Sequence, residues 1–156
     1  MPDKITVLVV EDELFFRELI ESKLSTQNFL CAFTTSVSQA MGAMEAGFIP
    51  DVAIVDLHIP VLKGADDKIY DLDGYGLSRE IVEKSEGRTR VILTSILNLK
   101  SVEAAPSKAW GYFSKSKKEW DLLKEAAKMG KLKDDEVAKG TIEIQSEFGR
   151  GVIESG

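Results

Sequence analysis

"VAIVDLHIP", residues 52–60, poses the question on which the fold and the function both turn. Val52 to Val55 form an apolar run that reads as a buried strand, and the run ends on Asp56. The protein's single histidine, His58, follows, and then Pro60. Burying a carboxylate is costly unless something compensates its charge. Asp56 is therefore either a turn residue reaching solvent or part of a site that needs a negative charge.

Outward from this strand, short apolar runs alternate with helical periodicity. Ile5–Val10 (ITVLVV) is rich in β-branched residues and reads as a strand, and Phe29–Phe33 as a second. Between them, Glu13 to about Ser25 carries Phe16, Leu19, Ile20 and Leu24 at helical spacing. Ser36 or Ser38 can cap a helix running through Met44, which Gly47 and Pro50 end. Beyond Asp56 an irregular stretch leads to Asp73-Gly74, which opens a helix bearing Leu77, Ile81 and Val82. Val91–Leu93 is a fourth strand. A helix interrupted by Pro106 then leads to a short strand at Gly111–Phe113, and a last helix runs from near Lys117 to about Met129.

Five βα units in strict alternation imply an α/β fold, a parallel sheet with helices on both faces. In such open sheets ligands bind beyond the carboxyl ends of the strands. Glu11-Asp12, Asp56, Thr94-Ser95 and Lys115 all fall at that end. Carboxylates held together repel one another unless they share protons or recruit a cation. Oxygen-only ligands favour a hard ion such as Mg²⁺, which keeps waters and accepts phosphate oxygens. A hydroxyl (Thr94) and an ammonium (Lys115) are donors suited to phosphate. The set points to phosphoryl transfer, with Asp56 as the group able to form an acyl phosphate.

Bulk properties narrow the classes. With 156 residues, 44% of them hydrophobic, the chain suits one domain over about residues 1–130 and a C-terminal extension over 131–156. Neither a membrane-length apolar run nor a signal-peptide pattern is seen. A lone cysteine, Cys31, permits no internal disulfide, so a cytoplasmic setting is expected. A net charge of −6 argues against nucleic-acid binding.

"VLVVEDE", "IVDLHIP", "VILTS" and "WGYFSKS", in that order, resemble the receiver domains of two-component response regulators over about Lys4 to Met129. The resemblance implies a flavodoxin-like (βα)5 doubly wound sheet in strand order 2-1-3-4-5. It implies Asp56 as phosphoacceptor, with Mg²⁺ held by Asp12 and Asp56, by Glu11 through water, and by the backbone carbonyl of His58. Thr94 and Lys115 would contact the phosphoryl group, and small Ser95 would leave it room. Tyr112 would be an aromatic switch that follows Thr94 and reshapes the face of the fourth helix, fifth strand and fifth helix. The implied donor is a sensor histidine kinase or phosphotransfer protein, and the implied output is a downstream protein target or self-association through that face. Catalysis would be confined to the protein's own phosphorylation and dephosphorylation.

The chain also departs from the family's pattern. Glu11 stands where an aspartate is usual, and Ser116 where a proline normally follows the lysine. The Asp-Gly that opens the third helix is delayed to Asp73-Gly74, an insertion of about ten residues, near 63–72, of a kind surface loops tolerate cheaply.

Several features have plainer readings. His58 fits a lone side chain on an exposed loop, and Cys31 a small buried apolar residue. Leu14 and Phe15 fit either the core or a contact with the phosphodonor. Asp71, Asp73, Gly74 and Glu80 partly match a calcium loop, but Ile69 cannot ligate at its first position. In the extension, Thr141–Ile144 alternates like a strand, so that a packed strand, a dimer-forming arm and a disordered end are all open. Its glycine-rich phrase resembles one near the end of histidine-kinase ATPase domains, whose other motifs are missing. Two further classes compete with a phosphorylatable receiver. One is a phosphorylation-independent binding module on the same fold. The other is an enzyme on a related fold, but a dehalogenase-type phosphatase needs an acid where His58 stands, and a flavodoxin needs a hydroxyl-rich loop where "EDELFF" stands.

Overall fold

Alternating apolar side chains along three central strands let one sheet feed two cores. The computed structural model describes residues 4–26, 28–59, 73–95, 111–114 and 120–128. In chain order these form β1 (Ile5–Val10), α1 (Leu14–Leu24), β2 (Phe29–Thr34), α2 (Val37–Glu45), β3 (Val52–Asp56), α3 (Asp73–Lys84), β4 (Arg90–Ser95), β5 (Gly111–Ser114) and α4 (Trp120–Lys128). The five strands lie in the order β2-β1-β3-β4-β5, and every pair is parallel.

Successive strand residues point to opposite faces. Val7 and Val9, Val52 and Ile54, and Ile92 therefore face one core, which Ile20 and Leu24 of α1 and Trp120, Leu123 and Ala127 of α4 complete. Leu8 and Val10, Ala53 and Val55, and Val91 and Leu93 face the other, closed by Ala40 and Met44 of α2 and Leu77 and Ile81 of α3. Burying each large aliphatic side chain stabilises the fold by about 1.5–3 kcal/mol. A strand buried on both faces reads as a continuous apolar run, and this is why VAIV carries no polar alternation.

Most element boundaries match the sequence reading to within a residue or two. Ser36, not Ser38, caps α2: its hydroxyl accepts the Gln39 N–H at 3.1 Å, while the Gln39 side chain accepts the Thr35 N–H at 2.8 Å. β3 runs one residue further than the apolar pattern suggests, taking Asp56 into the ladder opposite Thr94. Cys31 is only half-buried, because β2 is an edge strand whose faces are incompletely covered. Burial and nearby Glu21 still push its thiol up to about 11. The expected helix around Pro106, the insertion near 63–72 and the 131–156 extension lie outside the described residues.

Candidate functional site

The parallel register aligns the strand ends that carry the polar residues. Val10 lies opposite Val55, and Asp56 opposite Thr94. Backbone bonds then carry the sheet one step past its strands: the Glu11 N–H donates to the Thr34 carbonyl at 3.0 Å, and the Leu57 N–H to the Thr94 carbonyl at 2.9 Å. Glu11, Asp12 and Asp56 are thereby gathered, with one carboxylate oxygen from each lying within 4.8 Å of the others. Glu11 is buried, Asp56 is only 6% exposed and Asp12 is half-buried.

Three carboxylates this close make the local potential strongly negative, and burial weakens the screening that water would supply. The donor set fits a hard divalent ion. Around Mg²⁺, ligand oxygens at 2.0–2.1 Å stand about 3 Å apart when adjacent and about 4 Å apart when opposite. Oxygens within 4.8 Å of one another need only small side-chain rotations to reach that spacing.

Local hydrogen bonds hold the cup. The Glu13 N–H donates to Glu11 Oε2 at 3.2 Å, and the His58 N–H to Asp56 Oδ1 at 3.1 Å. Thr94 is buried, and its hydroxyl makes only a long 3.5 Å contact with the Val55 carbonyl. The His58 side chain is half-buried. Tyr112 and Ser95 lie on β5 and β4. Lys115 falls outside the described residues.

Two supports were missed in the sequence reading. Arg17, on the first turn and a half of α1, donates from Nη1 to the carbonyls of Glu11 (3.2 Å) and Asp12 (2.9 Å), so its guanidinium clamps the loop that bears both acids. Its cue was an arginine five residues after the acid pair, where a helix turns a long side chain back on its own entry loop. Gly74 sits at the start of α3, with its N–H donating to the Leu57 carbonyl at 3.0 Å. A Cβ there would lie 2.5 Å from the Asp56 carbonyl oxygen and 2.6 Å from Leu57 Cα. Glycine lets α3 start directly against the backbone that carries Asp56.

Leu14 and Phe15, which the sequence left between core and contact, are 60% and 66% exposed. They stand at the start of α1, separated from the acid pair only by Glu13. Their neighbour Phe16 turns inward instead, its ring centroid 6.0 Å from that of Trp120.

Comparison with known proteins agrees with this geometry. The response regulator receiver domain family matches residues 7–127, and the chain belongs to that family. It is a receiver domain of two-component signalling. No curated protein matches the sequence. Among solved structures, the response regulator TrrA from Thermotoga maritima, in complex with Mg²⁺ and BeF, shares 25% identity at a TM-score of 0.64, with 81% of this chain and 98% of that one covered. The response regulator domain of Thermotoga maritima CheB shares 24% at 0.62, covering 82% and 96%. NtrX from Brucella abortus shares 23% at 0.65, covering 88% of this chain and 30% of that one. Among the described residues no helix is long and apolar enough to cross a membrane.

Proposed function

We propose that Asp56 accepts a phosphoryl group from the phosphohistidine of a sensor histidine kinase or phosphotransfer protein, and that the resulting acyl phosphate switches a protein-interaction face. The observation that carries this reading is the convergence of Glu11, Asp12 and Asp56 within 4.8 Å at the carboxyl ends of β1 and β3. A carboxylate oxygen of Asp56 attacks phosphorus in line with the P–N bond of the donor. That bond breaks, and the imidazole leaves with its electron pair. Glu11, Asp12, Asp56 and the backbone carbonyl of His58 are the groups that would hold Mg²⁺. When bound, the ion offsets the negative charge of the carboxylates and of the incoming phosphoryl oxygens.

The remaining residues position and respond. Thr94 has little to give up when it turns toward a phosphoryl oxygen, since its present contact is at the weak limit of a hydrogen bond. Lys115, by its place after β5, would donate a charge-assisted bond to another of those oxygens. Tyr112 on β5 would move into the space that Thr94 leaves, biasing the face of the fourth predicted helix, β5 and the last helix (α4) between two arrangements. Leu14 and Phe15 offer an exposed apolar contact for the donor beside the acids. The complex of TrrA with Mg²⁺ and BeF supports the same chemistry for a similar chain.

The test is intact mass after incubation with acetyl phosphate, with and without Mg²⁺. The wild type should gain one phosphoryl group only when Mg²⁺ is present, and Asp56→Asn should gain none. Modification that survives in Asp56→Asn would place the acceptor elsewhere. Failure of the wild type to react, with its partner still bound normally, would leave a binding module.

A further inference from the structure

The side of the sheet away from β5 is built differently from the rest of the surface. β2 is the outermost strand there, and among the described residues no strand pairs with its outer edge. Its inner edge runs in unbroken register with β1 from Phe29 to Thr34, with no bulge. Exposed edges in natural sheets are guarded by charges, proline, bulges or shortness, because bare N–H and C=O groups recruit another strand. β2 has none of these. Its sequence FLCAFT carries no charge, and the whole segment from Leu24 to Met44 lacks Asp, Glu, Lys and Arg in a chain that is 29% charged.

Both faces of this edge present apolar side chains to solvent. Leu30 is 51% exposed and shares its face with Ala32, which packs against the core under α2. Phe33 is 37% exposed and shares the opposite face with Cys31, which packs against the core under α1. An added strand would pair the open backbone and cover both side chains.

We propose that residues 141–145 of the same chain, TIEIQ, dock on the outer edge of β2 as a sixth strand. The segment alternates with period two, setting Ile142 and Ile144 on one face and Thr141, Glu143 and Gln145 on the other. It can extend one of the apolar faces of β2 without burying its glutamate. Reach does not limit it: α4 packs on α1 and β1, and β1 is one strand spacing, about 4.8 Å, from β2. The link formed by residues 129–140 can extend to roughly 40 Å. A tether of this kind holds the segment at an effective concentration on the order of millimolar. A second copy of the chain would instead have to associate against a net charge of −6 on each partner.

Amide hydrogen exchange on the full, unphosphorylated chain tests the proposal without involving Asp56. The amides of Ile142 and Ile144, which point to the same edge of a strand, should exchange at least tenfold more slowly than in a free peptide of residues 138–156. Ile144→Pro, which removes a ladder donor, should abolish that protection and speed exchange in β2, with helical circular dichroism unchanged. Native mass spectrometry should show a monomer in both cases. Exchange of 141–145 at the free-peptide rate overturns the proposal. So does protection found only in a dimer, which would make a second copy the occupant.

Discussion

The apolar run of β3 is flanked by two aspartates, Asp51 just before the strand and Asp56 as its last residue, and the two ends treat them in opposite ways. At the entry, the Asp51 carboxylate is supplied with donors: Oδ2 accepts the Thr6 N–H at 2.9 Å and the Thr6 hydroxyl at 3.0 Å. The Asp51 N–H returns a bond to Thr6 Oγ1 at 2.9 Å, and the neighbouring Thr89 hydroxyl donates to the Pro50 carbonyl at 2.6 Å. At the exit, Asp56 is more deeply buried and is set against two further carboxylates. One end satisfies its charge locally and thereby fastens β3 to β1. The other gathers three carboxylates, whose charge the proposed cation would offset. The same residue type, five positions apart around the same apolar run, is thus hydrogen-bonded into the sheet at one end and gathered with other carboxylates at the other.

The largest effect that should separate the ends is the response to Mg²⁺. At a concentration a hundredfold above its Kd, a ligand that binds only the native state adds about 2.7 kcal/mol to stability. Urea unfolding with and without Mg²⁺ should show an increment of this size in the wild type and in Asp51→Ala, and almost none in Asp56→Asn. Equal increments in all three would erase the distinction.

Gly74→Ala should disturb the exit alone. Its Cβ would meet the Asp56 carbonyl oxygen at 2.5 Å, and backbone atoms cannot swing aside as a flexible side chain can. A loss of about 2 kcal/mol is expected from overpacking, together with a weakened Mg²⁺ increment. A variant of wild-type stability and full metal response would show that α3 can start further from the strand.

Asp51→Ala should cost about 1.5 kcal/mol in the same urea experiment, since Thr6 loses two bonds to a half-buried carboxylate. Phosphorylation by acetyl phosphate should persist. Loss of phosphorylation in this variant would mean that the two ends are mechanically coupled through β3.

The smallest effect is expected at a carboxylate remote from both ends. Asp121 pairs with Lys23 at 2.8 Å, and the hydrogen bond and charge of Lys23 hold its carboxyl below the usual range. A lowered folded-state value contributes stability above the unfolded carboxylate range, lost as pH falls through the folded value. The side chain is 84% exposed, so water and salt screen the pair. Asp121→Asn should leave the urea midpoint unchanged at neutral pH and physiological salt. A clear drop would give this surface pair a weight that neither end of β3 predicts.

The short apolar runs and the helical patterns in the chain were sufficient to anticipate the alternation of strands and helices, because burial on a sheet or helix face leaves a direct imprint on residue order. They also placed Glu11, Asp12, Asp56 and Thr94 at strand ends. Leu14 and Phe15 could not be resolved this way: both occur at helical spacing beside true core residues, and only the rotation of α1 on the sheet sends Phe16 inward and leaves them outside. Arg17 and Gly74 stayed hidden for a similar reason. Their roles depend on how closely a helix start approaches a loop, a distance that no one-dimensional pattern carries.

What residue order alone determined here is which segments must be buried, on which faces, and which polar groups stand where strands stop. Only the tertiary structure decided that three of those groups share a space a few ångströms wide, that Asp51 bonds to Thr6 while Asp56 stands beside two other carboxylates, and that among the described residues no strand pairs with the outer edge of β2. The reason is physical: burial preference is a property of each segment, whereas charge crowding and hydrogen-bond satisfaction are properties of distances between segments that the parallel register of the sheet brings about.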